Sequence, residues 1–114
     1  VCLNRENARN DAFLANGNFA LNTLASAQQP VAAAFSGQTG FAREDRFALG
    51  QWTTLSTGAP VLAGALATFD CEIIDTKELA THRVLFGKVT GLSIGDNLSP
   101  LIYHDRAYQL LKHD

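Results

Sequence analysis

The sequence predicts a mainly β domain, a barrel carrying short helical insertions. Three observations support this. The second half alternates apolar and polar residues over two long stretches bounded by turn chemistry. Helical patterning is confined to two short stretches near the front. And 114 residues at 46% hydrophobic content supply one core rather than two.

Residues 1–3 read as the end of an apolar strand, and residues 4–10 (NRENARN) as a polar turn, where Asn is favoured. Asp11 is placed to cap a short helix over residues 12–16, which Gly17 stops. Residues 18–24 (NFALNTL) form a strand with Phe19, Leu21 and Thr23 on one side. Residues 26–35 (SAQQPVAAAF) form a helix. Ser26 is its N-cap, Gln29 completes a capping box, and Pro30 sits in the first turn, where its missing N–H costs little. Gly37 and Gly40 end it. Residues 39–55 make a long ordered excursion anchored by Phe47, Leu49 and Trp52, and residues 57–60 (TGAP) turn.

Residues 67–73 predict a half-buried antiparallel strand. Ala67, Phe69, Cys71 and Ile73 share one face; Thr68, Asp70 and Glu72 share the other. Residues 75–80 turn the chain, and residues 81–92 form a second long strand. Gly87 and Gly91 interrupt it, as glycine does at a bulge or a close backbone approach. A turn at residues 95–97 and two short strands, 101–103 and 107–111, around a turn at 104–106 complete the chain. A closed barrel of such strands would leave no exposed edge.

Composition narrows the function. The formal net charge is −2, from 9 Lys plus Arg against 11 Asp plus Glu. There is no clustered basic face for nucleic acid and no block of like charge. No apolar run approaches a membrane span, and no signal peptide pattern opens the chain. Cys2 and Cys71 lie in apolar alternating segments and read as small buried residues in a reducing, cytoplasmic setting. A domain this small cannot also wall off a deep cavity, so a ligand of nucleotide size is expected in an open cleft or at a subunit interface.

The sequence lacks the phosphate-cradling glycine motifs, HExxH, CxxC and GxSxG, and His82, His104 and His113 have no metal-ligand spacing. No metal is expected. His82 is the first candidate for chemistry. It heads a strand after a turn, where an imidazole can hydrogen-bond a ligand or stabilise developing charge; the plainer alternative is a surface histidine. Asn4 offers a donor and an acceptor to a heterocycle edge, and Arg5 a planar fork for phosphate; read alone, both equally fit a polar turn. Arg46 can clamp a phosphate or pair with Glu44 or Asp45. Trp52 reads as core or interface rather than a stacking platform.

Five segments in order resemble one family. They are VCLNR leading to NFALNTL, SAQQPVAAAFSG with DRFALGQW, GAPVLAGALATFDCEI, THRVLFGKV, and PLIYHDRAYQLL. Together they are similar to the flavin reductase domain over essentially all of residues 1–114. The resemblance is strongest to the reductase component of 4-hydroxyphenylacetate 3-monooxygenase systems, and nearly as strong to the pyrimidine-degradation flavin reductase. It implies a flavin-binding split β-barrel homodimer that reduces free FMN or FAD with NADH or NADPH. The reduced flavin would then diffuse to a partner oxygenase of a two-component monooxygenase. A non-catalytic flavin-binding protein on the same barrel is the alternative, and a ligand-free dimerisation domain the third reading.

By the same resemblance, His82 lies beside flavin and nicotinamide. Asn4, Arg5, Asn7, Ala8 and Arg9 fall in the flavin-contacting strand end and turn, and Tyr103 on the nicotinamide side; Arg46 joins them as a candidate phosphate contact. The family's turn often carries small hydroxyl residues where this chain has Glu6, Asn7 and Ala8, so Arg5 or Arg9 is expected to take over phosphate contact. The family also has an upstream segment that supplies much of the flavin site. It does not appear in this sequence, and the chain is expected to be a domain lacking its N-terminal segment.

Overall fold

The computed structural model describes residues 1–37, 39–40, 42–96 and 99–111. Asn97 of the expected 95–97 turn, and His113, lie outside the described residues. The described residues form eight strands: β1 (Cys2–Asn4), β2 (Asn18–Thr23), β3 (Trp52–Thr53), β4 (Val61–Leu62), β5 (Ala67–Leu79), β6 (His82–Ile94), β7 (Ile102–His104) and β8 (Ala107–Gln109). Two short α-helices join them, α1 (Asp11–Asn16) and α2 (Gln29–Phe35), with 3-10 turns at Ala8–Asn10, Ser26–Gln28 and Arg43–Ala48. The main sheet has the antiparallel order β1-β6-β5-β2, and β3–β4 and β7–β8 are two-stranded ribbons. The mainly β expectation holds. Among the described residues the main sheet is open, with β1 and β2 at its edges, so barrel closure is not seen in it.

The long hairpin β5–β6 organises everything else. Each strand runs 13 residues. Residues 75–80 were expected to turn, yet β5 continues to Leu79 and only Ala80 and Thr81 make the turn, with Leu79 paired to His82. Its polar residues carry no apolar alternation, but cross-strand backbone hydrogen bonding needs none. Ala80 takes a φ of 50°, a left-handed conformation that is uncommon for a residue with a Cβ. The β7–β8 turn likewise places Asp105 and Arg106 at φ 51° and 62°, as the favoured two-residue hairpin turn requires.

Both glycines of β6 stand beside register shifts. Asp70 pairs with Gly91 and Cys71 with Val89, which leaves Thr90 unpaired; Ile73 pairs with Gly87 and Asp75 with Phe86, which leaves Ile74 unpaired. Gly87 is also a close approach, since a Cβ there would lie 2.5 Å from Phe19 Cζ and 2.8 Å from Cys71 Cβ.

Two core clusters result. Phe19, Cys71 and Leu85 meet from β2, β5 and β6, flanked by Leu3, Phe69 and Ile73. Val31, Leu62 and Ala65 join α2 to the β4 region, flanked by Leu24, Leu49 and Trp52. The expected split of β5 into an apolar buried face and a polar outer face is corrected. Thr68 and Asp70 are 1% and 0% exposed, because residues 55–62 fold over that face. Cys71 is buried as expected, but Cys2 is exposed on the edge strand.

The helix caps shift by one step. Asp11 is the first residue of α1 rather than its cap; Asn7 instead caps the preceding 3-10 turn, its Oδ1 accepting from Arg9 N at 3.1 Å. Ahead of α2, Gln28 rather than Gln29 reaches back, its Oε1 accepting from Ala25 N at 3.0 Å. Pro30 lies in the first turn and Gly17 closes α1 at φ 75°, as expected.

Replacing Gly87 by Ala is expected to destabilise the fold by about 1–3 kcal/mol through overpacking against Phe19 and Cys71. Urea unfolding, with an unchanged slope and a lowered midpoint, measures it.

Candidate functional site

The turn at Ala80–Thr81 brings His82 beside Asn4. The two are directly opposed across β6 and β1, so their side chains leave the same face of the sheet. Both are exposed. Thr81 Oγ1 lies 2.8 Å from His82 Nδ1, which steadies the ring and leaves Nε2 without a partner among the described residues. Asn4 Oδ1 accepts from Glu6 N at 2.9 Å, and Asn10 Nδ2 donates to Asn4 O at 3.0 Å. The Asn4 amide nitrogen is thereby left available for a ligand. The turn that follows holds Asn7, Ala8 and Arg9. Asn7 spends its oxygen on the cap, Ala8 contributes backbone alone, and the Arg9 guanidinium makes no ion pair among the described residues.

On the opposite face, one row along, sits an ion-pair cluster that the sequence reading missed. Arg83 is paired across the hairpin with Glu78. Arg83 Nη2 reaches Glu78 Oε1 at 2.9 Å, and Arg83 Nη1 reaches Asp11 Oδ1 of α1 at 3.3 Å. Arg5 Nη2 reaches the other Glu78 oxygen at 3.0 Å, while Arg5 Nη1 donates to Ala80 O at 3.0 Å and Arg5 N to Thr81 O at 2.9 Å. The Arg5 fork expected to hold phosphate is thus occupied internally. The Arg83 hydrogen bonds and the nearby Arg5 charge hold the Glu78 carboxyl below its ordinary range, and Glu78 in turn raises the Arg83 guanidinium. The signal was present in the sequence: once a two-residue turn is set at residues 80–81, Glu78 and Arg83 must face each other.

Arg46 and Tyr103 do not join this end. Arg46 docks on α2, donating through Nη1 to Phe35 O at 3.3 Å, and its buried Nε has no hydrogen-bond partner among the described residues. Tyr103 packs against Tyr108 with ring centroids 5.1 Å apart. Its ribbon attaches through Leu101 N to Leu24 O and an Ala25–Pro100 bridge, near where Thr23 pairs with Ala67 and Ala67 with Ile94. That is the other end of β6 from His82, about 40 Å along a strand at roughly 3.3 Å per residue.

A second feature is a cleft of about 710 Å³ between β2 and α2, walled by Phe19, Val31, Phe35, Phe47, Trp52 and Pro60. Phe47 lies edge-on to Phe35 and Trp52, at 5.1 and 4.9 Å. Trp52 Nε1 donates to Leu49 O at 2.9 Å, which fits a half-buried packing residue.

The cleft's rim, residues 57–60, is pinned from below. Asp70 Oδ2 accepts from Ser56 N and Thr57 N, both at 2.8 Å, and from Ser56 Oγ at 3.2 Å; Asp70 Oδ1 accepts from Thr57 Oγ1 at 2.5 Å. The bulged Thr90 joins through its hydroxyl, 2.6 Å from Ser56 Oγ. Asn22 secures the other side, donating to Pro60 O and accepting from Leu62 N and Thr68 Oγ1. Burial alone pushes the Asp70 carboxyl up, but the donors from Thr57 and Ser56 together outweigh it and leave its pKa lowered. Burial and then the Asp70 charge push the adjacent Cys71 thiol up.

Comparison with known proteins identifies the class. The flavin reductase like domain matches residues 1–112, and the chain belongs to that family. It is 46% identical over 108 residues to FMN reductase (NADH) RutF of Ancylobacter novellus, which covers 95% of this chain and 59% of that one. It is 45% identical to FMN reductase (NADH) RutF 2 of Methylorubrum extorquens, covering 97% of this chain and 63% of that one. The chain therefore spans about three-fifths of the length of these curated relatives. Among solved structures, a homologue of nitrilotriacetate monooxygenase component B from Mycobacterium thermoresistibile superposes with a TM-score of 0.85 at 33% identity, over 97% of this chain and 61% of that one. BorF, the flavin reductase component of a bacterial two-component tryptophan halogenase, gives 0.85 at 27%, over 100% and 72%. The flavin reductase HpaC, at 22% identity and a TM-score of 0.81 over 96% and 68%, shares the fold. The split-barrel class expected from sequence is the one these structures share. No helix among the described residues is long and apolar enough to cross a membrane.

Because the ionised Asp70 is the form its donors hold, its stabilisation is complete above the ordinary aspartate pKa and is lost as pH falls through the lowered folded value. Asp70→Asn is expected to cost about 2–4 kcal/mol at neutral pH. It should also flatten the acid limb of stability between about pH 5 and pH 2; urea unfolding across that range checks both.

Proposed function

We propose that the protein reduces free flavin, FMN or FAD, at the expense of NADH or NADPH, with His82 and Asn4 at the reacting end. The observation that carries this reading is the Asn4–His82 cross-strand pair, presented on one exposed face in a chain that belongs to the flavin reductase like family. FMN with NADH is the favoured pair, because relatives at 37–46% identity are named FMN reductase (NADH).

The residues present fit such ligands. Among the described residues, Asn4 has a free amide donor for a heterocycle edge, His82 Nε2 is open, and the Arg9 guanidinium is unengaged. Flavin and nicotinamide, when bound, supply the hydride chemistry. The chain's own residues bind and orient. The Thr81 hydroxyl fixes the His82 ring, so Nε2 meets a ligand without paying further rotamer entropy. Asn4, held by Glu6 N, does the same for its amide. Asn7 shapes the turn that carries Ala8 and Arg9. Arg46 and Tyr103 reach the same ligand only if it extends beyond this end of the hairpin, or if a second copy supplies them.

A homodimer fits the exposed apolar side chains of the long hairpin, where Ile74, Leu92 and Ile94 are 64%, 56% and 69% exposed. The reading includes a partner oxygenase that receives reduced flavin by diffusion. BorF is named as the flavin reductase component of a bacterial two-component tryptophan halogenase, and a Pseudomonas putida protein as a styrene monooxygenase flavin reductase. It also keeps residues 1–114 as a flavin reductase domain.

Oxidation of NADH on addition of FMN to the full-length protein tests the activity, and no flavin-dependent turnover would remove it. His82→Ala is expected to lower turnover by about 10- to 100-fold, the range of a single orienting or proton-handling group. Circular dichroism should stay unchanged, since the side chain is exposed.

A further inference from the structure

We propose that Glu78 is a specificity-determining residue, the internal counter-anion of a two-arginine cradle that would otherwise hold a phosphate monoester. The proposal rests on the flavin-reductase reading for its choice of ligands. Two arginines from separate segments converge on one carboxylate. Arg5, just past β1, reaches Glu78 Oε2 at 3.0 Å, and Arg83, on β6, reaches Oε1 at 2.9 Å. A carboxylate and a phosphate present the same kind of oxygen pair to a guanidinium fork. Glu78 therefore occupies the place an incoming phosphate would take.

The charges balance. Arg5 and Arg83 against Glu78 and Asp11 sum to zero, so this end of the hairpin has no surplus attraction for a dianion. The geometry is nonetheless prepared. Arg5 is steadied by Ala80 O, and Arg83 is largely covered, with 19% of its side chain exposed. Glu78, at 48%, is within reach of solvent and of a competing anion. Exposed ion pairs of this kind add little to stability. The arrangement is thus better suited to tuning what binds than to holding the fold.

A phosphate monoester has two sources in the proposed reaction. FMN carries one that riboflavin lacks, and NADPH carries one that NADH lacks. Calorimetric titration of these four ligands, and of inorganic phosphate, into wild-type protein, Glu78→Gln and Glu78→Asp separates them without relying on turnover. The expected result is that Glu78→Gln binds the phosphate-bearing member of one pair about tenfold more tightly, with its partner unchanged. The pair that moves names the source. The gain should shrink as salt is raised. Glu78→Asp, which draws the carboxylate back by one methylene, should move in the same direction by less, and it serves as the test if Glu78→Gln does not fold. Ratios that stay at wild-type values in a folded variant, or a shift shared equally by both members of each pair, would overturn the proposal. NADH oxidation with FMN, measured alongside, keeps the two readings apart. Activity with unmoved ratios removes only the role of Glu78, and shifted ratios without activity remove only the reductase reading.

Discussion

Side chains on a strand change face at every residue, so the position of a hairpin turn decides which groups can ever meet. Here the turn is Ala80–Thr81, and the consequences run through the whole His82 end. Leu79 pairs with His82, which pairs with Asn4 on β1, and this puts His82 and Asn4 on one face. Glu78 pairs with Arg83 on the other face, next to Arg5 and Asp11. A slip of one residue would exchange the two faces. The exposed imidazole would then point toward α1. The left-handed Ala80 is the local strain that this register accepts.

Further along the same hairpin, two bulges do comparable work. One frees Thr90 to meet Ser56, and the other sets Gly87 under the Phe19 ring. The first serves a polar latch and the second an apolar contact, yet both arise because an extra residue on one strand re-aims its neighbours. The latch is built on a fully buried carboxylate. Such a charge is tolerable only with its hydrogen bonds complete, and Asp70 has four donors from two consecutive residues. Asn22 closes the other side, so the rim of the apolar cleft is held at two points rather than left as a free loop.

The arginines show the same principle at the surface. Arg5, Arg83, Arg9 and Arg46 carry the same group but are committed differently. Arg5 and Arg83 share Glu78, Arg46 is spent on a helix carbonyl, and Arg9 is open. A guanidinium's availability depends on what the fold places within 3 Å of it, not on the residue type.

Much of this chain was legible without coordinates. Period-two alternation marked β5 and β6, glycines at 87 and 91 marked the bulges, and Gly17 and Pro30 marked helix ends, because each is a local constraint written in one or a few adjacent residues. The family likewise followed from ordered local segments. What the sequence could not decide were matters of register and cover. The polar run at residues 75–80 reads as a turn until a partner strand pairs with it. Thr68 and Asp70 read as solvent-facing until residues 55–62 fold over them. Arg5 reads as free until Glu78 arrives from the far side of the chain. Each depends on groups distant in sequence and near in space, and such pairings exist only once the tertiary structure has formed.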